Sequence, residues 1–157
     1  MLVAFCCFTS RLFGQDSLIT VLVLPPYDET ATEGIAPDAQ RILERSLMSK
    51  NKIKVIPFPL KNLMNVPYEM VYDKKYCAPI VEKVKCDIII MTHLIRKNES
   101  KPGSLPWAYT TKIYNVKTGR QINSIKGSYL KTRDFPADIA SKSDKLVMDI
   151  INLFQAN

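Results

Sequence analysis

Histidine is almost missing from this chain: among 157 residues His93 stands alone. The four cysteines (Cys6, Cys7, Cys77 and Cys86) include no pair two residues apart, so with one histidine there is no zinc signature. Glycine is scarce as well. Gly14, Gly34, Gly103, Gly119 and Gly127 make neither a dinucleotide fingerprint nor a phosphate loop. His93 sits at the exit of an apolar run with no evident nucleophile or orienting partner beside it, so general acid–base chemistry lacks its parts. No internal hydrophobic segment has the length of a spanning helix, and no repeat of solenoid period occurs. These absences set the expectation of a protein that is not an enzyme and holds no metal and no cofactor.

Acidic residues are in short supply too: 15 Asp and Glu against 22 Lys and Arg give a formal charge of +7. The excess is concentrated. Arg96, Lys97, Lys101, Lys112, Lys117, Arg120, Lys126, Lys131 and Arg133 face only Glu99 within that stretch and Asp134 at its border. Such a field attracts acidic protein, nucleic acid or anionic lipid. The blander reading is a solvated surface that Lys and Arg keep from edge-to-edge aggregation.

At the amino terminus, residues 2–8 are apolar and followed by Thr9-Ser10-Arg11-Leu12-Phe13-Gly14. The run is short for a bilayer-crossing helix and suits a secretory leader. Residues 1–14 are therefore expected to be a signal peptide and residues 15–157 a single domain. A chain of that size buries roughly 70% of its unfolded surface and needs no disulfide framework. Cys77 and Cys86 are left two readings: a pair in an oxidising compartment, or two buried thiols.

What is present is regular. Leu18 to Leu24 is apolar and ends at Pro25-Pro26, a first buried strand. Tyr27 to Gly34 reads as an acidic loop. Pro37 suits a first helical position, and Ala39, Ile42, Leu43 and Leu47 follow at helical spacing. Ile53 to Ile56 is a second strand. Asp73 is read as capping a helix that runs to about Lys85. Ile88-Ile89-Ile90-Met91 is an unbroken apolar run, which marks a central strand covered on both faces. Asn98 to Pro106 is a connector. Trp107 to Leu130 alternates as a hairpin around a turn at Asn115–Arg120, with Gly119 in the left-handed position. Pro136 opens a last helix, with Ile139, Leu146, Val147, Ile150, Ile151 and Phe154 inward, and Asp138, Lys142, Lys145 and Asp149 outward. The expected fold is α/β: a mixed sheet of about five strands, a parallel centre plus the antiparallel hairpin, with helices on both faces.

Three pieces carry a family likeness. They are Val21-Leu22-Val23-Leu24-Pro25, Lys85-Cys86-Asp87-Ile88-Ile89-Ile90-Met91-Thr92, and Ile113-Tyr114-Asn115-Val116-Lys117-Thr118-Gly119-Arg120. Together they resemble the small α/β domain shared by the amino-terminal part of TolB, the periplasmic domain of the curli channel CsgG and related flagellar envelope proteins. The likeness spans about Ile19 to Leu130. It implies a bacterial periplasmic or outer-membrane-associated setting and a role in assembly or partner docking, with no catalytic residue to carry over. Asp87 would organise the turn before the central strand.

The expectation for function is thus a protein-binding envelope component, meeting an envelope complex or its own copies, with peripheral membrane contact a further partner. Arg96, Lys97, Lys112, Lys117, Arg120, Lys126 and Lys131 are the candidate partner-binding residues. The alternative is a nucleic-acid-binding module, with Trp107, Tyr109, Tyr114 and Tyr129 among the basic residues. A third reading places a ligand crevice near Asp28, Glu29, Glu33 and His93, at the carboxyl ends of the parallel strands.

Overall fold

A computed structural model describes residues 18–29, 35–58, 84–97, 106–129, 131 and 134–155. Six strands make one sheet: β1 (Ile19–Val23), β2 (Tyr27–Asp28), β3 (Ile53–Ile56), β4 (Ile88–Arg96), β5 (Trp107–Asn115) and β6 (Arg120–Tyr129). The order is β3-β1-β4-β5-β6, with β2 also on β4. Both β1–β3 and β1–β4 are parallel, and the β4–β5–β6 run is antiparallel. The expected mixed sheet, parallel at its centre with an antiparallel hairpin, is present, and the apolar run Ile88 to Met91 lies in its central strand.

β2 is a correction, because Tyr27 and Asp28 were read as loop. Pro25 and Pro26 have no N–H to give the ladder, so β1 stops. The chain then rejoins β4 further along, pairing Tyr27 with His93 and Asp28 with Leu94.

Two helices are described, α1 (Ile35–Met48) and α2 (Phe135–Gln155). α1 begins two residues before Pro37, which therefore stands in the first turn, where a missing N–H breaks no bond. Ala39, Leu43 and Leu47 of α1 and Phe135, Ile139, Leu146, Val147, Ile150 and Ile151 of α2 are buried in one cluster with Val21, Val23, Ile88, Ile90 and Ile113. Those strand positions alternate, so both helices lie on the same face of the sheet. Each fully buried Ile or Leu stabilises by roughly 1.5–3 kcal/mol. Small residues set the helix contact: Ser46 and Ser143 bring their hydroxyls to 2.7 Å, and Ser143 also donates to the carbonyl of Ala140.

The opposite face holds Leu22, Leu24, Cys86, Ile89 and Met91, all buried, with Phe58, Val84 and Tyr114 against them. Neither described helix covers this face. The helix expected from Asp73 lies outside the described residues except at its end, where Val84 is helical and Lys85 turns left-handed (φ 49°). The expected leader, Cys77 and the expected connector after Asn98 also lie outside them. Cys86 is a free, buried thiol, and burial pushes its pKa up to about 11.

Asp87, expected to organise the turn before the central strand, instead ties two strands together. Its Oδ2 accepts from the N–H and hydroxyl of Thr20, at 2.8 and 2.6 Å, joining the starts of β1 and β4. At the sheet centre, Thr92 and Thr111 satisfy each other across β4 and β5 at 2.9 Å. No described helix is long and apolar enough to cross a membrane.

Candidate docking surface

The hairpin presents two unlike faces. Toward α2, β5 and β6 bury Tyr109, Thr111, Ile113 and Tyr129. Tyr109 meets Phe135 edge-on, with ring centroids 5.1 Å apart. Its hydroxyl donates to Asp138 Oδ2 at 2.7 Å. Lys142 bonds the same oxygen at 2.9 Å and reaches on to the carbonyl of Lys126. Burial first, then the Asp138 carboxylate, pushes the Tyr109 phenol far above its ordinary range, and the Tyr129 phenol moves the same way. Gly127 faces Tyr109 across the ladder, where a Cβ would lie 2.3 Å from both the Tyr109 ring and Asp138. Only glycine lets ring and carboxylate approach so closely.

Away from the helices the same strands turn out Thr110 and Lys112 of β5, and Ser124, Lys126 and Ser128 of β6. The register pairs Ala108 with Ser128, Thr110 with Lys126 and Lys112 with Ser124. Lys97, just past β4, joins this face and donates from Nζ to Ser128 Oγ at 3.1 Å. Lys97, Lys112 and Lys126 are all exposed. Among the described residues the face thus carries lysines separated by hydroxyls, with Ala108 buried beside them.

The remaining basic residues are placed elsewhere. Arg96 lies on the helix side, its guanidinium over the Trp107 ring at 5.3 Å. Lys117 is in the turn, and Arg120 follows it opposite Asn115, on the helix-side parity. Lys131 is exposed beyond β6. The turn is built by its own side chains: Asn115 Oδ1 accepts from the N–H of Thr118, and Gly119 takes φ 63°.

The outer edge of β6 is partly closed. Lys142 occupies the carbonyl of Lys126, and Asn123 Oδ1 accepts from the N–H of Ser124 at 2.7 Å. These are outward-pointing groups that an added strand would need. Ile122 is an extra residue, opposite the step between Ile113 and Tyr114, and it bends the strand.

His93 and Glu29, offered separately by the sequence, are brought together: Nε2 to Oε1 is 2.8 Å, with side chains 40% and 44% exposed. Tyr27 lies against the imidazole at 5.1 Å. An exposed pair of this kind contributes little to stability. Asp28 is carried on β2, while Glu33 falls outside the described residues. Among the described residues no three His, Cys, Asp or Glu side chains gather as a metal site.

The aromatic residues do not form a stacking platform. Tyr109 and Tyr129 are buried under α2, and Tyr114 belongs to the other face. Sequence reasoning missed the hydroxyls of Thr110, Ser124 and Ser128, and it turned Asp138, Lys142 and Asp149 outward. Asp138 and Lys142 instead bind the hairpin, and Asp149 accepts from the Asn123 amide. The i,i+4 spacing of Asp138 and Lys142 signals only their own ion pair, not these contacts to the hairpin.

No protein-family model matches the chain, and no curated protein matches it in sequence. Solved structures share its fold. The C-terminal domain of LpoB from Salmonella enterica superposes with a TM-score of 0.52 at 16% identity, over 76% of this chain and 87% of that one. Lipoprotein GNA1162 from Neisseria meningitidis gives 0.51 at 13%, over 71% and 80%. A PelC dodecamer from Paraburkholderia phytofirmans gives 0.50 at 13%, over 84% and 87%. At such identities the likeness is one of fold.

Proposed function

We propose that this chain is a non-enzymatic envelope protein, periplasmic or associated with the outer membrane, that docks to a larger protein assembly or to its own copies through the hairpin face turned away from the two described helices. The observation that carries the reading is the pairing of opposites on β5 and β6: one face is sealed by α2, and the other exposes Lys97, Lys112 and Lys126. Three further points support it. The fold is shared with a lipoprotein and with a subunit of a dodecamer. The finer likeness to TolB and CsgG, carried by the Pro25, Asp87 and Gly119 segments, belongs to the same reading. The leader at residues 1–14 fits export.

Cell fractionation followed by crosslinking tests this. The expected result is a chain in the envelope fraction, shortened at its amino terminus, crosslinked to a partner or to itself from positions beside Lys112. A full-length chain confined to the cytosol overturns the reading.

A further inference from the structure

The partner's chemistry follows from how the exposed face is built, on the premise that the face docks protein. We infer that it receives a carboxylate-rich polypeptide segment lying flat across the strands, held by Lys97, Lys112 and Lys126, and not a strand added to the sheet's edge.

Charge complementarity sets the occupant. Lys112 and Lys126 stand on adjacent strands two positions out of register, and Lys97 is tied beside them through Ser128. Thr110, Ser124 and Ser128 supply hydroxyl donors between the ammonium groups. Among the described residues Glu29, just past β2, is an acid bordering this face beside β4, and it is held on His93. Diagonal neighbours such as Lys112 and Lys126, two positions out of register on adjacent strands, lie about 7–8 Å apart, close to the roughly 7 Å between alternate side chains of an extended segment.

Other modes fit less well. Edge addition would have to displace Lys142 from the Lys126 carbonyl and Asn123 from the Ser124 N–H. Single-stranded nucleic acid uses stacked aromatics, and the hairpin's Tyr109 and Tyr129 are buried. A lipid surface gains from apolar side chains that enter it. Among the described residues the exposed large apolar ones are Leu18, Met48 and Met148, at the start of β1, the end of α1 and on α2. None is on this face.

The test uses the full mature chain and a fluorescent decamer of L-glutamate, read by anisotropy. Binding is expected to weaken about tenfold or more between roughly 50 and 500 mM salt, as exposed charge pairs are screened. The double variant K112E/K126E should lose binding by at least about tenfold while keeping its urea midpoint, since rim charges act on association more than on folding. K97E should act in the same direction. A D-glutamate decamer should bind nearly as well. Loss of D-peptide binding by more than about tenfold points to backbone pairing at an edge and overturns the flat mode. Tighter binding of oligo(dT), or of phosphatidylglycerol vesicles, at equal salt overturns the carboxylate assignment. So does wild-type affinity in K112E/K126E. An envelope partner that stays bound to K112E/K126E removes this inference and leaves docking intact. A cytosolic chain that binds the decamer supports the inference and removes the envelope reading.

Discussion

The two halves of the sheet solve the burial problem differently. In β1 and β4 successive residues go into cores on both faces: Val21 and Val23 with Ile88 and Ile90 on one side, Leu22 and Leu24 with Ile89 and Met91 on the other. In β5 and β6 most of the burial is on the helix side, and the other face carries lysines and hydroxyls beside the buried Ala108 and the half-buried Tyr114. One continuous sheet, parallel in its first half and antiparallel in its second, thus serves two ends. Where both faces are apolar the strand has no surface to offer, and where one face is polar the strand can meet another molecule. Two-sided apolar burial belongs to the first half, and the docking we propose would use the second.

The largest expected effect breaks the first half. Ile90→Ala should lower unfolding free energy by about 2–5 kcal/mol in urea denaturation, the range for buried Ile truncation. If Ile125→Ala, on the partly covered β6, were equally damaging, the contrast between halves would fail. Next comes the joint between hairpin and helix. Gly127→Ala must move the Tyr109 ring or Asp138, and overpacking of this kind costs about 1–3 kcal/mol.

Alkaline titration gives a smaller, graded effect. Cys86, Tyr109 and Tyr129 all have folded pKa values raised above their ordinary ones, so the fold holds their protons more tightly than the unfolded chain does. Their contribution is complete below those ordinary values and is lost as pH rises, beginning near 9.0 for the thiol and 10.0 for the phenols. The midpoint in urea should therefore fall above pH 9, and Tyr109→Phe should flatten that fall. An unchanged slope would mean that the Tyr109 phenol is not held as described. The smallest effect sharpens the comparison from the other side: Lys112→Ala should leave stability within about 0.5 kcal/mol, as exposed surface changes do.

Much of this was legible in the sequence. Ile88 to Met91 announces a strand covered on both sides because no polar residue interrupts it, and Gly119 marks the turn because the left-handed conformation favours it. The side taken by the helices was not legible. β1 and β4 are apolar on both faces, so their pattern has no preference, and helices were expected on each; the two described here share one. β2 escaped because two residues after a proline pair show no period. Among the basic residues, alternation alone puts Arg120 and Lys126 on one face. The extra residue at Ile122 reverses that parity, sending Arg120 to the helix side and leaving Lys126 with Lys112. Asp138, Lys142 and Asp149 looked like solvent-facing helix charges because the hairpin's proximity to α2 is a tertiary fact that no local spacing encodes.

Asp138 has a consequence for motion. By gathering the Tyr109 hydroxyl and the Lys142 ammonium, with Lys142 reaching the Lys126 carbonyl, it bolts the last helix to the outermost strand pair. For the hairpin to swing away from the helix, these bonds would have to break. A visitor landing on the far side meets a surface already in shape, so little of the contact energy is consumed in freezing loose chain.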